Sequence, residues 1–92
     1  MDYKFTNNED YKRFELEVNG SRAIAEYLIS PQGVVFMTKT EVPNSLTDQE
    51  IIPLLLENSF ENIKQNDKVI FPMCPIVKAY IDQHPEWSAL VE

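Results

Sequence analysis

Apolar and charged residues alternate through Arg13–Val18, where Phe14, Leu16 and Val18 are separated by Glu15 and Glu17. A period of two predicts a half-buried strand. Asn19–Ser21 reads as a hairpin turn, and the following segment Arg22–Ile29 as the antiparallel partner. Ser30–Gly33 is a second turn, and the β-branched run Val34–Val42 predicts a third, central strand. After Pro43 the period lengthens. Ile52, Leu55, Leu56, Ser59, Phe60 and Ile63 recur at helical spacing, with Glu57, Asn58, Glu61 and Lys64 on the other face. This amphipathic helix ends near Gln65 and Asn66. Lys68–Phe71 then reads as a short buried strand, Ile76–Gln83 as a second helix stopped by His84 and Pro85, and Glu86–Val91 as a final helical turn.

Three antiparallel strands, a helix, one more strand and a helix make an α+β domain. A strand reached by a helical crossover lies most easily parallel to the third strand. That order places Cys74 at the carboxyl end of the fourth strand, the edge of an open sheet where ligands tend to bind.

Composition narrows the field. With 92 residues, 43% of them hydrophobic, residues 1–92 are expected to form one domain with a modest core. The formal net charge of −7 opposes phosphate binding through counterion release, so a nucleic-acid partner is not expected. The N-terminus carries no basic region followed by an apolar one, and no apolar run is long enough to span a bilayer. A cytoplasmic protein without a membrane role is expected. The single cysteine precludes an internal disulfide and a cysteine-based zinc site.

That cysteine, Cys74, is fenced by Pro72 and Pro75. Pro75 suits the first position of a helix, where its missing N–H would be unpaired anyway, and this makes Cys74 the cap residue. A sulfur at a helix N-terminus is favoured as the thiolate, and Lys78, one turn along, is expected to push the same way. The competing interpretation is a small buried hydrophobe at the end of a strand.

Glu41–Pro43 (EVP), then a helix, then FPMCPIVKAYIDQHPEWSALV, resembles the small single-domain branch of the GNAT acetyltransferase superfamily, whose members pair a TEVP strand end with a CP…Y…HPE…LV tail. Arg13–Tyr27 is similar to the opening hairpin of that branch, and the resemblance runs from about Lys12 to Val91. It implies a GNAT-like mixed sheet and acetyl-coenzyme A as donor, bound where the third and fourth strands splay apart. Pantetheine would lie along the backbone of Lys39, Thr40, Glu41 and Val42, with the thioester near Cys74. The acceptor would be an amine, on a small molecule or a protein. Transfer of this kind needs a polarised carbonyl, a deprotonated amine held in line and a proton for the leaving thiolate. Cys74 would carry the acetyl group covalently or line the site. Tyr80 is the candidate proton donor, or else a packing residue. His84 lies ten residues along the helix, roughly 15 Å away, which argues against a Cys-His hydrolase and for a residue that ends the helix.

The superfamily cradles the coenzyme pyrophosphate on an Arg-Gly-x-Gly-x-Ala loop at the start of the first helix, where glycines admit the backbone N–H groups and the arginine neutralises charge. The matching residues here are Thr47–Ile52, and the resemblance implies coenzyme contacts at Thr47, Gln49, Ile51 and Ile52. The arginine and both glycines are missing. Five acids (Glu41, Asp48, Glu50, Glu57 and Glu61) and no base stand between Lys39 and Lys64. Thr47-x-x-Glu50 instead reads as a capping box whose side chains satisfy the helix N–H groups themselves. Pro53 is awkward for a helix starting there and is expected to shift its start or kink it. Two functions follow. One is an acetyl-coenzyme A-dependent N-acetyltransferase that holds the pyrophosphate another way, through Lys39, Lys78 or the second helix. The other is a degenerate binding or interaction module that keeps the fold without the donor site.

Overall fold

The alternation seen in the sequence becomes a two-faced sheet. In a computed structural model describing residues 2–92, the elements are β1 (Lys4–Asn8), β2 (Arg13–Val18), β3 (Ser21–Ile29), β4 (Val34–Glu41), α1 (Asp48–Gln65), β5 (Val69–Pro72) and α2 (Pro75–Gln83), followed by a 3-10 segment, Pro85–Leu90. Phe14, Leu16 and Val18 of β2 and Ala23, Ala25 and Tyr27 of β3 are all buried on one face. The intervening residues carry the ion pairs of the open face, Arg13 to Glu15 at 2.7 Å and Arg22 to Glu15 and Glu17 at 3.9 and 3.7 Å. Asn19 (φ 51°) and Gly20 (φ 80°) make the tight connection between β2 and β3. Positive φ at both central residues suits the right-handed twist of a hairpin.

The strands lie in the order β1-β2-β3-β4-β5, with antiparallel pairing up to β4 and a parallel β4–β5 pair. The α+β class and the parallel final strand are as expected from the sequence. β1 is an addition. It pairs antiparallel to β2, with Phe5 opposite Leu16, and Phe5 stacks on Phe14 at 5.8 Å between centroids. Polar residues surround that one apolar anchor, as befits a sheet edge.

Both helices cover the same face. α1 buries Ile51, Leu55, Leu56, Ser59, Phe60 and Ile63, and α2 buries Val77, Tyr80 and Ile81. Phe60 lies between the helices, 6.0 Å from the ring of Tyr80 and 5.3 Å from that of Trp87. Ser59 satisfies its buried hydroxyl by donating to the carbonyl of Leu55 at 2.7 Å. The final segment turns back so that Val91 pairs with Ile70 of β5, which closes that edge of the sheet.

The start of α1 corrects one expectation. Thr47 is the cap residue, with extended backbone, but its hydroxyl makes no capping bond. The Glu50 amide that it would serve bonds to the Thr47 carbonyl at 3.1 Å instead, so no capping box forms. Pro53 does not shift the start of the helix, which runs through it from Asp48. A proline here has no N–H to offer the carbonyl four residues earlier, that of Gln49.

Candidate functional site

The site begins where β4 outlasts β5. The β4–β5 ladder ends at Met37 opposite Pro72, whereas β4 stays paired with β3 as far as Glu41. At the parting, the Met37 carbonyl accepts from the amides of both Met73 and Cys74, at 3.1 and 2.9 Å. The chain then leaves the sheet and enters α2. Thr38–Glu41 thus present backbone with no strand beside them on the β5 side.

A bulge decides which side chains face this gap. Tyr27 pairs with Met37 and Glu26 with Lys39, so Thr38 is an extra residue in β4. The extra residue reverses the alternation. Thr40 comes opposite Ala25 on the buried face, while Lys39 and Glu41 project from the open face and pair with each other at 2.9 Å. That pairing, first through its hydrogen bond and then through charge, raises the Lys39 pKa. Of the four strand-end residues expected to meet pantetheine, Thr40 and Val42 turn toward the helices. Lys39 and Glu41 offer the gap only their backbone, and the Lys39 charge is already neutralised on the opposite face.

Cys74 caps α2 with Pro75 in the first turn, and is 5% exposed. Its sulfur lies 3.5 Å from the Thr40 hydroxyl oxygen. Burial raises the thiol pKa, but the Thr40 hydroxyl and the nearby backbone N–H groups of Val77, Ile76 and Thr40, which favour the thiolate, outweigh it, leaving the thiol below its ordinary range; the sulfur makes no capping bond to the helix. Lys78 is not among the groups that lower the pKa.

Tyr80 lines the groove between α1 and α2, but its hydroxyl is directed at α1. Its hydroxyl donates to Glu57 of α1 at 2.6 Å, and the Trp87 indole donates to the same carboxylate oxygen at 2.8 Å. Burial, then the bond to Glu57 and the charges of Glu57 and Glu86, push the phenol pKa strongly upward. His84 stacks on Tyr80 with centroids 4.0 Å apart, and its Nδ1 lies 2.9 Å from the Tyr80 carbonyl. Since a carbonyl only accepts, Nδ1 carries the proton. His84 ends α2 as expected, with its ring held against the helix it terminates.

Between the first turns of α1 and the exposed side of α2 runs a groove of about 380 Å³. Gln49 and Ile52, both expected at the coenzyme, line it, as does Asp48. Ile51 does not, because its side chain is in the core at 2% exposure and its amide bonds to the Thr47 carbonyl at 2.9 Å. Its side chain packs in the core. Thr47 is not part of the groove wall either. On the other side stand Ile76, Ala79, Gln83 and His84, which sequence reasoning did not assign to a site. The available signal was Ile76, an apolar residue left 40% exposed on a helix that buries its opposite face.

An antiparallel sheet ending in a parallel pair, bulged and parted beside a helix start, is the architecture of a GNAT-like acyltransferase fold. The profile of the GCN5-related N-acetyl-transferase family matches residues 13–90, and the chain belongs to that family. No curated protein matches it with significant similarity. Among the described residues no helix is long and apolar enough to cross a membrane.

Proposed function

We propose that the protein is a small acetyl-coenzyme A-dependent N-acetyltransferase that acts in the cytoplasm on an amine of a small molecule or a protein. The observation that carries this reading is the Cys74 thiol held against Thr40 at the parting of β4 and β5. The edge of Lys39, Thr40, Glu41 and Val42, with no strand beside it on the β5 side, suits the amide groups of pantetheine. The acidic balance of the chain argues against a nucleic-acid partner.

In this reading the β4 edge orients the donor and the thioester carbonyl comes to lie at the α2 start, where backbone N–H groups are available to polarise it. The amine nitrogen attacks the carbonyl carbon, the carbon–sulfur bond breaks, and the amine proton leaves to solvent or to the departing thiolate. Cys74 lines this point, or accepts the acetyl group first and passes it on. Tyr80 acts as a positioning residue, since its proton is directed at Glu57.

A second reading, a binding module with the donor site lost, is favoured by one observation. Asp48 and Glu50 occupy the first turn of α1. Carboxylates there do not fit a pyrophosphate, and no arginine or glycine compensates. Titration with acetyl-coenzyme A, followed by amide chemical shifts, tests the two readings. Saturable shifts at Lys39–Val42 and Cys74, together with acetyl transfer to an amine panel, support the enzyme. Their complete absence supports the module.

A further inference from the structure

A cavity of about 190 Å³ lies at the far end of α1 from Cys74, between the C-terminal turns of the helix and the buried face of the sheet. α1, of 18 residues, runs from the groove lined by Asp48 to this cavity, which is lined by Asn62 and Asn66. Lys12, from the turn between β1 and β2, and Lys68, from the connection into β5, both line the cavity. In a chain with only 8 basic residues this convergence is notable, because Arg13, Arg22 and Lys39 are engaged with carboxylates on the open face. Among the described residues neither Lys12 nor Lys68 has an ion-pair partner. Their backbones are pinned: the Lys12 carbonyl accepts from the Tyr27 amide at 3.0 Å, and the Lys68 amide donates to the Ile63 carbonyl at 3.0 Å.

A hydrogen-bonded chain braces the polar side. Tyr27 donates to Asn7 at 2.5 Å, and the Asn7 amide donates to the Asn62 carbonyl oxygen at 3.3 Å. This orientation leaves the Asn62 NH₂ group as a donor. The apolar part of the wall is formed by Phe14, Ile29, Val35 and Ile63, and Asn66 adds a polar group at the end of α1. Two features select against a small multiply charged anion. Glu9 also lines the cavity, and the C-terminal end of α1 brings partial negative charge. A singly charged head on an apolar body satisfies all of these walls. Cavities of about 150 Å³ already admit a benzene ring, so an aromatic or branched aliphatic body fits the volume.

We propose that this cavity is a binding site for a small monocarboxylate with an apolar body, its carboxylate held by Lys12 and Lys68 and its body against Phe14, Val35 and Ile63. The site is independent of the acetyl-transfer reading and stands or falls without it. The test uses phenylacetate as the probe and phenylacetamide, of the same shape without the charge, as the control, each titrated into the full chain with amide shifts as the readout. Phenylacetate should saturate in the millimolar range, with shifts at Lys12, Tyr27, Ile63 and Lys68, and phenylacetamide should bind at least about tenfold more weakly. Lys12→Met and Lys68→Met should each weaken phenylacetate about fivefold, the scale of a partly solvated ion pair. Equal binding of acid and amide, shifts confined to the Cys74 end, or no saturable shift at all would overturn the proposal. The comparison of acid with amide on the unaltered chain holds even if a lysine variant folds poorly.

Discussion

The sulfur of Cys74 stands 3.5 Å from the hydroxyl oxygen of Thr40, a residue 34 positions earlier in the chain. Two local events create this contact. β5 stops at Pro72, which releases the chain into α2, and the bulge at Thr38 rotates Thr40 to the buried face. Without the bulge, strict alternation would aim Lys39 at the thiol and Thr40 at solvent.

The first prediction concerns that thiol. Because its folded pKa is lowered, the pH midpoint of iodoacetamide alkylation should fall below that of an ordinary thiol, whatever burial does to the absolute rate. Thr40→Val removes one of the stabilising hydrogen bonds and should move the midpoint upward. The linkage has a definite sign: a depressed pKa contributes stability that is present above the unfolded value of 9.0 and is lost as pH falls through the folded value. A midpoint at the ordinary value in both proteins would show that Thr40 and the helix amides do not act on the sulfur.

Tyr80 supplies the second prediction. Its hydroxyl and the Trp87 indole share one oxygen of Glu57, tying α2 and the 3-10 segment to α1. Tyr80→Phe deletes a hydrogen bond to a charged group and should cost about 1.5–3 kcal/mol of unfolding free energy. Urea unfolding measures this directly. If the residue only positions α2, the variant's acetyl transfer should keep the wild-type pH profile. A new pH dependence of kcat would instead mark Tyr80 as the proton donor.

Much of this architecture was legible in advance, and the exceptions have physical causes. The alternation of Phe14, Leu16 and Val18, the helical recurrence from Ile52 to Ile63 and the Cys74–Pro75 cap are each written in local periodicity or in one residue's stereochemistry, so their elements form where expected. β1 escaped because a five-residue edge strand carrying one buried-face aromatic, Phe5, has no detectable period. The capping box failed because the backbone of Thr47 satisfies the Glu50 amide before the side chain can. The opposed orientations of Lys39 and Thr40 depend on a bulge that no residue type announces. The Tyr80–Glu57–Trp87 bridge joins residues up to 30 positions apart, and only tertiary packing brings them together.

Glu15 carries the third prediction. Burial raises its pKa, but hydrogen bonds from Arg13 and Asn8 and the charges of Arg22 and Arg13 more than offset this, and the net shift is downward. A lowered carboxyl pKa adds stability above the unfolded value of 4.5 that is lost as pH falls through the folded value. Glu15→Gln should therefore be less stable than the parent at neutral pH, by roughly 0.5–1 kcal/mol after solvent screening on the open face. Denaturant unfolding should show the difference shrinking below pH 4.5 and vanishing in stronger acid. A difference independent of pH would mean that the Arg13 and Arg22 pairs contribute through packing alone.

The last prediction concerns the donor. In the Arg-Gly-x-Gly-x-Ala loop that the superfamily resemblance implies, charge-assisted hydrogen bonds would hold the pyrophosphate, and here Asp48 and Glu50 stand in the first turn of α1 instead. Losing two or three such bonds, each worth roughly 1.5–3 kcal/mol, should weaken acetyl-coenzyme A by about three orders of magnitude, to millimolar or beyond. The triple change Thr47→Arg, Asp48→Gly and Glu50→Gly should recover at least about tenfold of this, the scale of one restored charged bond. The substitutions are tolerable. Thr47 makes no side-chain capping bond to lose, and two glycines in the first helical turn cost about 2 kcal/mol at most. Calorimetric titration of both proteins decides the matter. Micromolar binding by the unaltered chain would remove the binding-module reading. A folded triple variant that binds no better would show that the pyrophosphate does not lie at the start of α1, and that the donor enters the β4–β5 parting from another side.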